Sequence, residues 1–353
     1  MKSHHVQVNG ARLHVVEAGS GPLVVLLHGF PECWYSWRHQ LTALAEAGFR
    51  AVAPDMRGYG TSDAPEEVES YTMLHLVGDV VGLIDALGES RAVVAGHDWG
   101  APVAWHTALM RPDLVRGVAG LSVPPPVPAP EPPLKAMRAL YQGRFYTNYF
   151  EQAGRAEREF GADVRGSLLR ILYGASGDNP TSPLAWIVPD GGGFLDIFPN
   201  PDRLPSWLAE EDLEVYVEAF TASGFTGSLN WYRNMDRNWE LTAPWKGARI
   251  DAPALYIAGD KDLAVHMPGR SRTIGNLPQL LPGLTRQEML AGCGHWTQQE
   301  RPAEVNALLL EFLHSLDRGQ GPPIMDFPIH SLARLGGRPP HPRTRRPGPH
   351  RWR

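Results

Sequence analysis

The sequence predicts an α/β fold: a mostly parallel sheet with helices on both faces, interrupted by a helical insertion. Three observations carry that expectation. Continuous apolar runs such as Leu23-Val24-Val25-Leu26-Leu27 mark strands covered on both faces. Over residues 5–122 such runs alternate with helical periodicity. A proline-rich stretch, Pro124 to Pro133, then stops the alternation, because proline lacks the amide donor that helices and central strands need, and strand signals resume only at Ala254.

The elements follow in chain order. His5 to Val8 and Arg12 to Val16 flank Asn9-Gly10, a dipeptide suited to a tight hairpin because both positions accept positive φ. Leu23 to Leu27 is the first buried strand, and Arg50 to Ala53 and Ala92 to Ala95 are shorter versions of it. Between them Met73, Leu76, Val77, Val80, Ile84 and Leu87 recur at helical spacing, with Gly88 placed to end the helix. A second helix is expected over residues 102–110, before Arg111-Pro112, and Val115 to Leu121 returns as a strand. Residues 134–245 read as short helices and loops rich in Tyr, Phe and Trp. Strands are expected at Ala254 to Ala258 and around Arg286 to Leu290, and an amphipathic helix over residues 303–316 closes the fold. The expected organisation is therefore a core in two pieces, 1–122 and 246–317, a helical lid over 123–245, and a tail over 318–353. No internal repeat is seen.

Composition removes several function classes. The 353 residues, 43% of them hydrophobic, suffice for a large core. Two cysteines exclude a disulfide scaffold or a cysteine-built zinc site, and the histidines show no paired metal-ligand spacing, so no metal is expected. The start, Met1-Lys2-Ser3-His4-His5-Val6, lacks an apolar run, and no stretch nears the roughly 18 apolar residues a membrane span needs. A cytoplasmic location is the expectation. The net charge of −5 hides an asymmetry: the tail holds eight Arg and one acid, or +7, which leaves −12 on residues 1–317. Eight Pro and five Gly in that tail give it too little apolar surface to offset its ordering entropy. It reads as a disordered appendage in preference to a basic arm for nucleic acid, and it is excluded from the fold.

Four segments at strand ends carry chemistry. Gly96-His97-Asp98-Trp99-Gly100 follows one strand and opens a helix, the setting in which flanking glycines allow a sharp turn to thrust its central residue outward. That residue is Asp98, which could otherwise serve only as a helix N-cap. His28-Gly29-Phe30-Pro31-Glu32 ends another strand and could turn backbone amides toward the elbow. Gly259-Asp260-Lys261-Asp262 and Cys293-Gly294-His295-Trp296 end two more. The order nucleophile, acid, histidine is that of α/β-hydrolases. Spacing alone leaves Asp260 open beside Asp262, and Tyr149, one helical turn from Tyr146, open beside it.

These motifs, with Asp55 to Asp63 (DMRGYGTSD) and Leu229 to Asn234 (LNWYRN), resemble the soluble-type epoxide hydrolases of the α/β-hydrolase fold over residues 5–317. The resemblance implies that Asp98 attacks the epoxide, that Asp262 orients His295, that His295 is the base, and that lid tyrosines Tyr146 and Tyr232 activate the ring oxygen. It departs at Ala101, where many relatives place a second glycine. The chemistry suits the residue types. A carboxylate is already ionised at neutral pH and attacks saturated carbon without a base, whereas the alkoxide it releases needs a donor, which a phenol of pKa near 10 supplies. A histidine can then deprotonate the water that hydrolyses the ester, with the backbone amides of Phe30 and Trp99 as oxyanion hole. No cofactor is implied. The expected partner is a small apolar epoxide, with neither nucleic acid nor membrane, a homodimer as candidate assembly and detoxification as the physiological setting. A dehalogenase of the same fold is the neighbouring alternative, although Glu32 stands where haloalkane dehalogenases carry Asn and Trp99 where fluoroacetate-acting relatives carry Arg. A non-catalytic ligand-binding homologue is the other, and it would need none of Asp98, Asp262 and His295. Glu32 reads either as a residue ordering water or as a solvent-facing side chain, and His28 and His97 read as scaffold.

Overall fold

In the computed structural model, which describes residues 1–181 and 186–317, eight strands form one sheet in the order β1-β2-β4-β3-β5-β6-β7-β8. They are β1 (Lys2–Val8), β2 (Ala11–Ala18), β3 (Leu23–Leu27), β4 (Arg50–Pro54), β5 (Ala92–His97), β6 (Val115–Leu121), β7 (Ala254–Gly259) and β8 (Leu284–Leu290). Only β1 and β2 run antiparallel to their neighbours; β4, β3, β5, β6, β7 and β8 pair in parallel. The Asn9-Gly10 hairpin forms as expected, with φ of 43° and 74°. The basic tail lies outside the described residues.

Alternation along the strands builds two cores. Val24 and Leu26 of β3 face α1 (Arg38–Glu46) and pack with Trp37, Leu41 and Leu44, and with Leu309 and Phe312 of the closing helix. Leu23, Val25 and Leu27 face the other way, toward α2 (Met73–Ala86) and α3 (Gly100–Met110). Helix α2 covers the span its periodicity predicts, and Gly88 follows it at φ 77°. Helix α1 escapes sequence periodicity for a physical reason. Its inward face holds only Leu41, Leu44 and the polar Gln40, which is buried because its amide donates to the Gln298 carbonyl and to Asn306 Oδ1.

Between β6 and β7 the chain leaves the sheet for α4 (Pro133–Tyr141), α5 (Tyr146–Glu151), α6 (Arg155–Ala162), α7 (Val164–Gly174), α8 (Glu210–Ser223), α9 (Thr226–Arg233) and α10 (Met235–Leu241). Phe150, Phe160 and Trp231 of this insertion belong to the same buried cluster as Phe30 after β3, so apolar packing runs without a break from sheet to insertion. Short helices α11 (Leu263–His266), α12 (Arg270–Gly275), α13 (Leu277–Leu280) and α14 (Thr297–Glu300) connect the last strands, and α15 (Pro302–Asp317) closes the fold. The chain crosses from β3 to β4 on one side and returns past β3 to β5 on the other. The loops after β3 and β5 therefore meet at the carboxyl edge, where open α/β sheets bind ligands.

Candidate active site

The elbow is built by close approach of backbone. Leu27 of β3 is in register with Gly96 of β5, which sets the loop after β3 beside the turn after β5. A Cβ on Gly96 would lie 2.0 Å from the Gly100 carbonyl oxygen, and one on Gly100 would lie 2.1 Å from that of Leu27. Only glycine fits either place. Between them Asp98 takes φ 50°, a left-handed conformation a non-glycine residue holds at a cost of about 1–3 kcal/mol and one that recurs at functional sites. The turn aims its carboxylate upward instead of capping α3. The Phe30 amide donates to Asp98 Oδ1 at 2.8 Å, while Oδ2 faces His295 Nε2 at 3.3 Å. The Trp99 amide has no protein acceptor among the described residues.

His295 and Asp262 are brought together by the pairing of β7 with β8, which aligns Gly259 with Leu290 and carries through to the bond from Lys261 N–H to the Cys293 carbonyl. His295 Nδ1 donates to Asp262 Oδ1 at 2.9 Å, and the Ala264 amide donates to the same oxygen. Asp260 is not the partner: it is exposed and accepts the Gly292 amide. The imidazole thus bridges two carboxylates. Burial works to lower its pKa, but Asp262 and Asp98 together hold it well above the ordinary histidine value. Burial likewise opposes ionisation of Asp98 and Asp262, yet contact with His295 keeps both below the usual aspartate range.

Above this line stand the two tyrosines of the insertion. Tyr232 of α9 packs edge-on against Trp99 and Phe30, with ring centroids 5.1 and 5.8 Å apart. Tyr146, at the start of α5, meets Tyr232 at 6.0 Å and Trp186 at 5.2 Å, and Trp186 in turn reaches His295. Burial and the Asp98 charge push both phenols above their ordinary pKa, although a hydrogen bond with the Trp99 side chain works the other way on Tyr232. Tyr149 differs. Its hydroxyl donates to Glu159 Oε2 at 2.8 Å, which turns it away from Asp98.

Glu32 does not face solvent. It is fully buried, contacts His97 Nδ1 at 2.8 Å, and accepts from the side-chain amides of Gln298 and Gln299 and from the Gly29 amide. Burial alone would raise its pKa, but the charge and hydrogen bond of His97 hold it below the ordinary glutamate value. His97 Nε2 donates to the His295 carbonyl at 2.7 Å, so the pair sits directly beneath the histidine loop. His28, with Nδ1 donating to the Gly29 carbonyl and Nε2 accepting the Met56 amide, is scaffold as expected. Sequence reasoning missed Ser122, whose hydroxyl lies 3.2 Å from His295 Nδ1 and whose φ is 71°. A signal existed, since it directly follows Leu121 at a carboxyl strand end.

Residues 22–170 match the family model for the alpha/beta hydrolase fold. Epoxide hydrolase A of Mycobacterium tuberculosis (strain ATCC 25618 / H37Rv) is 46% identical over 317 residues, covering 88% of this chain and 97% of that protein. Epoxide hydrolase 3 of Siraitia grosvenorii is 43% identical over 88% of this chain and 97% of its own length. The solved structure of an epoxide hydrolase from an endophytic Streptomyces superposes with a TM-score of 0.85 at 46% identity, over 90% of this chain and 96% of that one. With an aspartate at the elbow, an acid–histidine pair beside it and relatives of this extent, the chain belongs to the epoxide hydrolase family of α/β-hydrolase-fold enzymes.

Proposed function

We propose that this enzyme opens apolar epoxides to vicinal diols through an ester on Asp98. Its Oδ1 already rests on the Phe30 amide, where an oxyanion would form, so Oδ2 is the attacking atom. Attack on a ring carbon breaks its bond to the ring oxygen, which takes a proton from Tyr146 or Tyr232. High phenol pKa values suit that task, because the donors stay protonated until the alkoxide develops. His295 then removes a proton from water, the hydroxide adds to Asp98 Cγ, and the amides of Phe30 and Trp99 hold the oxyanion; losing one such donor typically costs on the order of 3 kcal/mol. Collapse breaks the Cγ–Oδ2 bond and releases the diol carrying the former Oδ2; Asp262 stabilises the imidazolium until its proton returns, through solvent, to the phenolate left by ring opening. Ester formation removes one of the two negative charges facing His295, which lowers its pKa at the moment a base is needed.

The observation that carries this reading is the Asp98 carboxylate, held by the Phe30 amide and flanked by Trp99, against which Tyr232 packs with Tyr146 beside it. Phe30, Phe150 and Trp186 share one buried apolar cluster with Trp99 packed against it, and such surroundings favour an apolar substrate. Among the described residues no helix is long and apolar enough to cross a membrane. The two cysteines are free and buried, which supports a cytoplasmic location. One turnover in heavy-oxygen water tests the mechanism. Label is expected in the Asp98 carboxylate and not in the first diol released; labelled diol with unlabelled Asp98 would mean direct attack by water and sink the covalent route.

A further inference from the structure

Glu300, the last residue of α14, is a buried carboxylate that the reaction above does not use. No lysine or arginine pairs with it among the described residues. Three backbone amides donate to it instead: Gly177 and Gly294 to Oε2, both at 2.9 Å, and Trp296 to Oε1 at 3.1 Å. Gly294 and Trp296 flank His295, and Gly177 lies just beyond α7 of the insertion. The same junction is clasped from the other side, since the His295 amide donates to the Ala175 carbonyl at 2.9 Å and Trp296 Nε1 to that of Leu172 at 2.8 Å. Backbone meets backbone there: a Cβ on Gly294 would lie 2.2 Å from the Gly177 nitrogen. Burial pushes the Glu300 carboxyl above its ordinary value despite the amides, so a neutral side chain of the same shape would avoid a desolvation cost.

We infer that Glu300 is a positioning residue for ester hydrolysis, holding the backbone on both sides of His295 so that the imidazole meets Asp98 and Asp262 at once. The inference rests on the roles proposed above for Asp98 and His295. Attack by Asp98 requires no base, so loosening the histidine loop should fall on the second chemical step and spare the first. A residue that merely supports the fold would slow both.

The test is single-turnover kinetics on the full chain with styrene oxide, following the ester by mass analysis of the peptide holding Asp98. Glu300→Gln, which keeps the shape and one acceptor oxygen, and Glu300→Ala are compared with the native protein and with His295→Gln. Alkylation should stay within about threefold of native, while hydrolysis slows about tenfold or more in the Ala variant, the scale expected of a misplaced base. Hydrolysis in the Gln variant should fall between native and Ala. Ester should therefore accumulate least in the native protein, more in Glu300→Gln, more again in Glu300→Ala and most in His295→Gln, which lacks the base. Native partitioning in Glu300→Gln, or equal loss of both steps, would overturn the role of Glu300, and the Gln variant carries this outcome should Glu300→Ala fail to fold. Absence of ester even in His295→Gln would instead overturn the reading of the site on which the inference rests.

Discussion

At the scale of single residues the phenols make the sharpest prediction. Tyr146→Phe and Tyr232→Phe should each slow ester formation about 10²-fold, the usual contribution of a general acid, and losing both should nearly abolish it. Tyr149→Phe should leave ester formation near native, because its hydroxyl is engaged by Glu159. Stopped-flow alkylation rates check all three, and a Tyr149 effect matching that of Tyr146 would contradict the assignment. The pH dependence separates the two steps. Asp98 lies below the ordinary aspartate value, so it stays a carboxylate, and alkylation should persist, as pH falls well into the acidic range. Hydrolysis needs neutral His295, whose pKa in the ester remains raised by Asp262, so its rate should fall at a markedly higher pH. Coincident acid limbs for the two steps would count against His295 as the base.

At the scale of elements, the strand–turn–helix junctions are tuned by what no side chain may occupy. Gly29, after β3, has no room for a Cβ, which would fall 2.3 Å from Asp98 Oδ1. Gly29→Ala should therefore displace the nucleophile and cut activity by about 10² or more with far-UV circular dichroism unchanged, since the clash is with a side chain at the rim. Gly100→Ala differs, because its Cβ would meet the Leu27 carbonyl inside the sheet. It should cost about 1–3 kcal/mol or more in urea unfolding. A Gly100→Ala protein of native stability would show that the elbow can relax.

At the scale of the whole molecule, a buried ion pair ties separate layers together. Arg57 and Asp79 meet at 2.6 Å, both nearly inaccessible, and join the loop after β4 to α2. The Asn9 side chain donates to Asp79 from the β1–β2 turn, and Trp231 of α9 donates its indole N–H to the Arg57 carbonyl. Hairpin, sheet and insertion therefore share one hub. Asp79→Asn leaves the Arg57 cation buried without its counter-charge and should cost about 3–5 kcal/mol by chemical denaturation. A loss below about 1 kcal/mol would mean that solvent reaches the pair.

The sequence by itself determined the α/β class, the strand positions and the order of nucleophile, acid and histidine, because each rests on neighbours within a few residues. A buried strand announces itself as Leu23-Val24-Val25-Leu26-Leu27, and an elbow as glycines two places either side of Asp98. Only the tertiary structure decided which acid touches the imidazole, Asp262 over Asp260, and which phenol of α5 faces the elbow, Tyr146 over Tyr149. It alone buried Glu32 against His97 and wrapped Glu300 around the histidine loop. Those outcomes depend on register between β7 and β8 and on how the insertion packs over the sheet. Such distances join residues remote in sequence, and no local pattern encodes them.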